Sequence, residues 1–157
     1  MNKSINIAVV GLGQVGSYLL NELNTKKKDI ELKTGKKINI VAISARNFNK
    51  KRQFKIDKKI FFKNSLEIFN KTSVDVLFDV IGQSDGVSKK IVETALKKKI
   101  HVITPNKALI SKHGNELAKI AELNNVNLEF EASVAGGIPI LRSIKEGLAT
   151  NKISKVY

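Results

Sequence analysis

The stretch from Ile5 to Gly16, INIAVVGLGQVG, sets the fold of this chain. Its first six residues are mostly apolar, as in a short buried strand, and three glycines follow at the spacing GxGxxG. Beyond the glycines, apolar residues recur on one helical face at Val15, Leu19, Leu20 and Leu23. The segment therefore predicts a strand, a tight glycine turn and a helix in succession.

Each glycine of this turn has its own role in a dinucleotide-binding motif. Gly11 permits the tight turn, Gly13 removes a side chain where the backbone meets a pyrophosphate, and Gly16 lets helix and strand pack closely. The N-terminus of the following helix would offer free N–H groups and a positive dipole end to phosphates. Because the turn lies between a predicted strand and a predicted helix, it indicates a dinucleotide site.

Short apolar runs alternate with helical patterns along the rest of the chain. Further strands are predicted at residues 39–44, 74–81 (ended by Gly82), 100–104 and 127–131, with helices at 15–24, 65–70, 108–124 and from Pro139 to about 149. Another helix, capped by Asp85 or Ser88, buries Ile91, Val92, Ala95 and Leu96. Residues 26–37 are expected to be a loop insertion, residues 48–63 stay ambiguous, and Val156 and Tyr157 would begin a strand. The alternation predicts one α/β domain over residues 1–157, a doubly wound Rossmann fold whose mostly parallel sheet has helices on both faces.

The composition limits the possible functions. The chain carries a net charge of +14, but its basic residues are mostly lysines, and the only arginines are Arg46, Arg52 and Arg142. Direct base readout usually recruits arginine, so cationic steering of an anionic cofactor explains the charge better than nucleic-acid binding does. Without cysteine the chain has no disulfide and no thiolate metal site. It has no apolar run long enough for a signal peptide or a membrane span, so we expect a cytoplasmic protein without membrane contact.

The end of the second predicted strand bears on the choice of cofactor. An NAD site usually has an acidic residue there for the ribose 2′-OH, whereas this strand ends Ile43-Ser44-Ala45-Arg46. A guanidinium at Arg46, with Ser44 nearby, suits a 2′-phosphate better than a free diol. The sequence therefore predicts a preference for NADP(H), with NAD(H) as the alternative and a solvated surface arginine as the simpler explanation.

Two later segments also carry candidate site residues. Thr104-Pro105-Asn106-Lys107 follows a predicted strand, where Lys107 could meet a cofactor phosphate, a ribose hydroxyl or a substrate carbonyl, or could simply be solvated. Glu131 precedes a loop of small residues ending at Pro139. Its carboxylate and the loop carbonyls could form an oxygen cage for a hard cation, although a glycine-rich turn with an exposed glutamate is the simpler interpretation.

Taken together, these segments are more specific. GLGQVG, ISAR, TPNKALISKHGNELAKIA and FEASVAGGIPI, in this order, resemble the nucleotide-binding domain of homoserine dehydrogenase over residues 5–157. That family interconverts L-aspartate 4-semialdehyde and L-homoserine with NADPH or NADH, on the route to threonine, methionine and isoleucine. The resemblance implies a homo-oligomeric enzyme that acts on this small-molecule substrate.

The resemblance also implies residue roles. The cofactor would be held by Gly11, Gly13, Gln14, Val15, Gly16, Ser44, Arg46, Gly82 and Lys107, with Lys107 close to the nicotinamide end. A sodium ion would bind Glu131 and the carbonyls of Val134, Gly136 and Ile138. This chain departs from common family patterns in having Gln83 where many members have a second glycine, and Pro105 in place of an alanine.

In the family the chain continues into a catalytic and dimerisation domain, which residues of about 150–157 would begin. That domain supplies the catalytic lysine, so the resemblance implies no catalytic residue within this chain and no turnover by it alone. A stand-alone nucleotide-sensing module stays open as an alternative. A semialdehyde dehydrogenase of the same fold would need a nucleophilic cysteine, which the chain lacks.

Overall fold

The structure is a computed structural model that describes residues 4–50, 52, 56–136 and 138–155. Its strands are β1 (Ser4–Val10), β2 (Lys37–Ser44), β3 (Phe61–Phe62), β4 (Val76–Asp79), β5 (His101–Ile103) and β6 (Leu128–Glu129). Its α-helices are α1 (Gln14–Thr25), α2 (Lys27–Thr34), α3 (Ile68–Lys71), α4 (Val87–Lys97), α5 (Lys107–Leu123) and α6 (Ile140–Arg142). Short 3₁₀ turns occupy Lys58–Ile60, Ser65–Glu67 and Glu131–Ser133, and the π-helical turn Ser143–Gly147 extends α6.

The six strands form one sheet in the order β3-β2-β1-β4-β5-β6, with every described pair parallel. The chain begins near the centre of the sheet with β1, and β2 and β3 follow outward on one side. It then crosses to the other side of β1, where β4, β5 and β6 follow outward. The order therefore reverses between β1 and β4, and ligands bind beyond the carboxyl ends of the strands at such a point.

Helices cover both faces of the sheet because side chains alternate along its central strand. Ile7 and Val9 of β1 point into an apolar cluster with Leu20 of α1, whereas Ala8 and Val10 point into the cluster formed with α4 and α5. The predicted stripe of α4 lies in the second cluster, and Ile91, Val92, Ala95 and Leu96 are all completely buried. The predicted doubly wound α/β fold is confirmed.

Residues 26–37 do not form the expected loop, because they contain helix α2 and the first residue of β2. Ile30 packs against the apolar cluster of α1, and a Lys27–Glu31 ion pair of 3.8 Å spans one helical turn. Gly35 ends the helix in the left-handed conformation at φ 65°. The low hydrophobicity of this segment concealed a helix that contacts the core through Ile30, bonds to β2 through Glu31 and is exposed at its other residues.

Several smaller predictions also need correction. Neither Asp85 nor Ser88 caps α4, whose N-cap is Gly86 at φ 65°. The strand predicted over residues 127–131 spans only Leu128–Glu129. The ambiguous residues 48–63 include the Lys58–Ile60 turn and β3, while Val156 and Tyr157 lie outside the described residues. No helix in the described ranges is both long and apolar enough to cross a membrane.

Candidate functional site

A cleft of about 550 Å³ opens at the carboxyl ends of β1, β2 and β4, where the strand order reverses. Four of the predicted cofactor residues line it, namely Gly11, Gly13, Ser44 and Arg46. Its other walls include residues of three further segments: Lys50 and Arg52, Lys63 to Ser65, and Val80, Ile81, Gln83 and Val87. The cleft lies where a doubly wound sheet is expected to bind its ligand.

The glycine turn is so closely packed that two of its glycines cannot be replaced without movement. Gly11 has φ 105°, and its N–H donates to the Ser44 carbonyl at 2.9 Å. A Cβ atom on Gly11 would lie 2.5 Å from the Val80 carbonyl oxygen, and one on Gly16 would lie 2.0 Å from the Gly11 carbonyl oxygen. A Cβ atom on Gly13 would meet no heavy atom within 4 Å, so this glycine is open towards the cleft.

The start of α1 presents its backbone N–H groups without a competing anion. Gly13 is the N-cap and offers no side-chain cap, and the first turn contains no acidic residue. Gln14 and Val15 are exposed, whereas Gly16 is buried between the helix and the strand. A helix N-terminus in this state attracts an anion through its free N–H groups and its dipole.

Cationic side chains surround the cleft beyond β2. The exposed Arg46 follows β2, and Lys50, Arg52 and Lys63 also line the cleft, with no Asp or Glu among the described lining residues. The sequence did not predict the last three, because residues 48–63 show no regular periodicity. One sequence signal could have indicated Lys63. It directly follows the apolar pair of β3, and Arg46 likewise comes shortly after the end of β2.

Arg52 holds the segment that follows Arg46 in a compact loop. Its guanidinium donates to the carbonyls of Phe48 and Lys50, both at 2.9 Å, and to that of Asn47 at 2.7 Å. The Phe48 ring meets Phe61 of β3 edge-on, with ring centroids 4.9 Å apart. A planar guanidinium can satisfy several carbonyls at once, so this loop has a defined shape at the rim of the cleft.

The remaining predicted cofactor residues do not line the cleft. Gly82 is exposed at φ 88°, between two residues, Ile81 and Gln83, that do line the cleft. Lys107 is the exposed first residue of α5, and Thr104, Pro105 and Asn106 separate it from the end of β5. The structure therefore brings Lys107 to the expected edge of the sheet but not to the wall of the cleft.

Behind this wall lies a buried carboxyl group, that of Asp79 at the end of β4. It accepts hydrogen bonds from the Ser88 hydroxyl at 2.8 Å, the Thr104 hydroxyl at 3.0 Å and the Ile81 N–H at 3.3 Å. Burial raises the pKa of the Asp79 carboxyl above its ordinary value, and the hydrogen bonds from Ser88 and Ile81 oppose that rise. Sequence reasoning missed this group, because a single acid at a strand end carries no distinguishing pattern.

Glu131 is not the exposed strand-end residue of the simpler interpretation. It lies in the 3₁₀ turn after β6, and its two carboxylate oxygens accept the N–H groups of Leu141 and Arg142, each at 2.9 Å. The Ile138 carbonyl accepts the Ile140 N–H at 2.8 Å. Glu131 thus binds the N-terminal turn of α6, while each of its oxygens keeps a further lone pair.

A family model described as the NAD-binding domain of homoserine dehydrogenase matches residues 11–131, which run from the glycine turn to Glu131. The chain belongs to the homoserine dehydrogenase family. The resemblance found in the sequence is thereby confirmed, and an NAD-binding domain implies a nicotinamide cofactor. Neither the nucleotide-sensing alternative nor another semialdehyde oxidoreductase is favoured by these comparisons.

Individual homoserine dehydrogenases agree with this assignment. The chain is 36% identical over 154 residues to that of Neisseria gonorrhoeae and 34% identical over 154 residues to that of Bacillus subtilis, covering 98% of this chain in both cases. The crystal structure from Thiobacillus denitrificans superposes with a TM-score of 0.82 at 31% identity, covering 96% of this chain and 35% of the other. This chain spans only about 35% of the length of the two curated homoserine dehydrogenases.

Proposed function

We propose that this chain binds NADP(H) in preference to NAD(H), as the cofactor-binding part of a homoserine dehydrogenase. The observation that carries the preference is the charge of the cleft beyond β2, where Arg46, Lys50 and Lys63 line the wall and no described lining residue is acidic. A ribose diol needs a carboxylate partner, whereas a 2′-phosphate needs cations. The same cations also steer an anionic cofactor towards the cleft.

The residues of the turn and the strand ends then have separate tasks. The N–H groups at the start of α1 bind the pyrophosphate, and Gly13 leaves room for it. Arg46 meets the 2′-phosphate, with Ser44 fixing the turn through its carbonyl. Lys107 and Gly82 lie on the other side of the reversal point, near the nicotinamide. The bound cofactor supplies the hydride chemistry, and the chain orients it.

The reaction, the pathway and the assembly belong to the same proposal. In the whole protein the substrate pair is L-homoserine and L-aspartate 4-semialdehyde, on the route to threonine and methionine. The catalytic groups are expected outside these residues, so chain 1–157 binds cofactor without turnover. A measurable rate of homoserine oxidation by this chain would contradict that expectation. Homo-oligomer formation and a cytoplasmic location stay predictions.

The cofactor preference is tested by isothermal titration calorimetry with NADPH and NADH. We expect tighter binding of NADPH and, in Arg46→Ala, a loss of about tenfold for NADPH with little change for NADH, because one charge-assisted contact is removed. Arg142→Ala is the matched control, since it removes an exposed arginine that pairs with Glu146 away from the cleft. Equal affinities for the two cofactors, or an unchanged ratio in Arg46→Ala, would contradict the proposal.

A sodium ion at Glu131 is the second part of the proposal. One carboxylate with main-chain carbonyls of Val134, Gly136 and Ile138 is a donor set suited to a hard cation, and the two N–H bonds hold the carboxylate in place. We expect NaCl to raise the melting temperature above that in KCl of equal ionic strength. Glu131→Gln should abolish the difference, and an equal melting temperature in both salts for the unchanged chain would refute the site.

A further inference from the structure

Four polar side chains form a buried cluster behind the cleft wall, at the ends of β4 and β5. These are Asp79, Ser88, Thr104 and Asn106, each at most 4% exposed, and we call them the polar cluster. Besides the two hydroxyl bonds to Asp79, the Asn106 amide nitrogen donates to the Ser88 hydroxyl oxygen at 3.0 Å. The Asn106 backbone N–H donates to the Thr104 hydroxyl oxygen at 3.1 Å. Such a network is costly to leave partly satisfied, so its members fix one another.

The cluster gives the Asn106 amide a single orientation. Ser88 donates its proton to Asp79, so its oxygen is free to accept from the Asn106 amide nitrogen. The Asn106 amide oxygen accepts the Leu109 N–H at 3.2 Å and thereby caps α5. A flipped amide would place its oxygen against Gln83 and its nitrogen against the Leu109 N–H, so each of these contacts would be lost.

The second donor contact of Asn106 reaches the cleft itself. Its amide nitrogen donates to the Gln83 carbonyl at 2.8 Å, and Gln83 and Ile81 line the cleft. The bond joins the loop after β4 to the start of α5, two segments that no strand ladder connects. Ile81 is also held, by its N–H bond to Asp79 and by packing against the core, whereas Gly82, between the two lining residues, has φ 88° and open space around it.

We propose that Asn106, oriented by Asp79 through Ser88, is a positioning residue that holds the Ile81–Gln83 wall against the nicotinamide half of the cofactor. This inference rests on the proposed function. The wall follows β4, on the side of the reversal point opposite to β2 and Arg46. Loss of the Asn106–Gln83 bond therefore disturbs one half of the cleft and spares the adenosine half.

The test compares two ligands that share the adenosine half. NADPH fills the whole cleft, whereas adenosine 2′,5′-bisphosphate lacks the nicotinamide half. Asn106→Ser keeps a good N-cap for α5 but cannot reach Gln83, so we expect NADPH affinity to fall about tenfold while affinity for the bisphosphate changes less than about twofold. Asn124→Ser is the matched control, because the Asn124 amide donates to the Ile120 carbonyl at 2.8 Å at the far end of the same helix. This control should leave both affinities unchanged.

A second variant covers the case in which Asn106→Ser unfolds. Asn106→Asp keeps the shape and the cap but turns an oxygen towards the Gln83 carbonyl, and the same split between ligands is expected. An equal loss for both ligands, or no loss for either in a folded variant, would overturn the positioning role. If the unchanged chain binds the bisphosphate but not NADPH, or binds neither, the proposed function itself fails, which is a different outcome.

Discussion

Replacing Gly16 by alanine should separate helix α1 from the turn that precedes it. The added Cβ would lie 2.0 Å from the Gly11 carbonyl oxygen and 2.9 Å from Val80 Cγ2. Ordinary non-bonded contact begins at about 3.4 Å, so α1 or the turn must shift by about 1.4 Å. The obstacle is backbone held by the Gly11–Ser44 bond, and so a side-chain rotation cannot relieve it.

The cost of this shift can be set against known values for overpacked cores. Such changes typically cost about 1–3 kcal/mol, and we expect about 3 kcal/mol because the clash is with backbone. For a chain of this size that corresponds to a fall of about 6–12 °C in melting temperature. Since the N–H groups of α1 move with the helix, NADPH affinity should also fall by about tenfold or more.

Gly13→Ala is the matched comparison in the same turn. Its Cβ would meet nothing within 4 Å, and its φ is −74°, so the melting temperature should stay the same or rise slightly. Its methyl group would nevertheless occupy the place proposed for the pyrophosphate, so NADPH binding should be lost. Differential scanning fluorimetry and calorimetric titration measure the two effects. A Gly16→Ala chain as stable as the original, or a Gly13→Ala chain with full NADPH affinity, would refute the reasoning.

Three further predictions concern the core, pH and the rim of the cleft. Leu117→Ala in the buried face of α5 should lower the free energy of unfolding by about 3 kcal/mol, whereas Leu123→Ala, 83% exposed on the same helix, should change it by less than about 0.5 kcal/mol in urea titrations. Burial raises the pKa of Asp79 in the folded chain, so just above pH 3.8 the folded chain binds more protons than the unfolded chain. The Asp79 carboxyl therefore destabilises the fold as the pH rises through its raised pKa. Asp79→Asn, which removes this titrating carboxyl, should therefore gain stability relative to the original chain as the pH rises above about 3.8. A pH-independent difference would contradict the assignment. Arg52→Ala should cost about 1–2 kcal/mol and weaken NADPH binding. Arg52→Lys should restore little, because a single ammonium nitrogen cannot take the positions of the two guanidinium nitrogens that reach these carbonyls. Unchanged NADPH affinity would argue against a role at the rim.

The sequence was sufficient to predict the central part of the fold. The apolar run before Gly11 and the four-residue stripe of α4 are buried as their periodicity indicated. The prediction for residues 26–37 was wrong because α2 buries so little that it has no apolar stripe, and its local features are one ion pair and the left-handed Gly35 at its end. Local sequence patterns therefore identified the strands and helices that form the core, and they missed helix α2, which packs on the outside of the core.

The candidate site was only partly predictable for a similar reason. Gly11, Gly13, Ser44 and Arg46 follow directly from a known turn and a strand end, and all four line the cleft. The remaining cations and the polar cluster come together only through tertiary structure. Asn106 contacts Gln83 across 23 positions, and the Thr104–Asp79 bond spans 25, distances at which no sequence periodicity carries information.

The position of β1 at the centre of the sheet has a consequence for synthesis on the ribosome. This strand is made first, yet its two neighbours are β2 and β4, and its Asn6 N–H donates to the carboxylate of Asp75, 69 positions later. At about 5–20 residues per second, the nascent chain carries an apolar strand with an open edge for about 3–14 s before β4 has been translated. Among the six described strands, β1 therefore waits longest for its second neighbour, and a chaperone that binds apolar nascent segments could cover Ile7 to Val10 during that time.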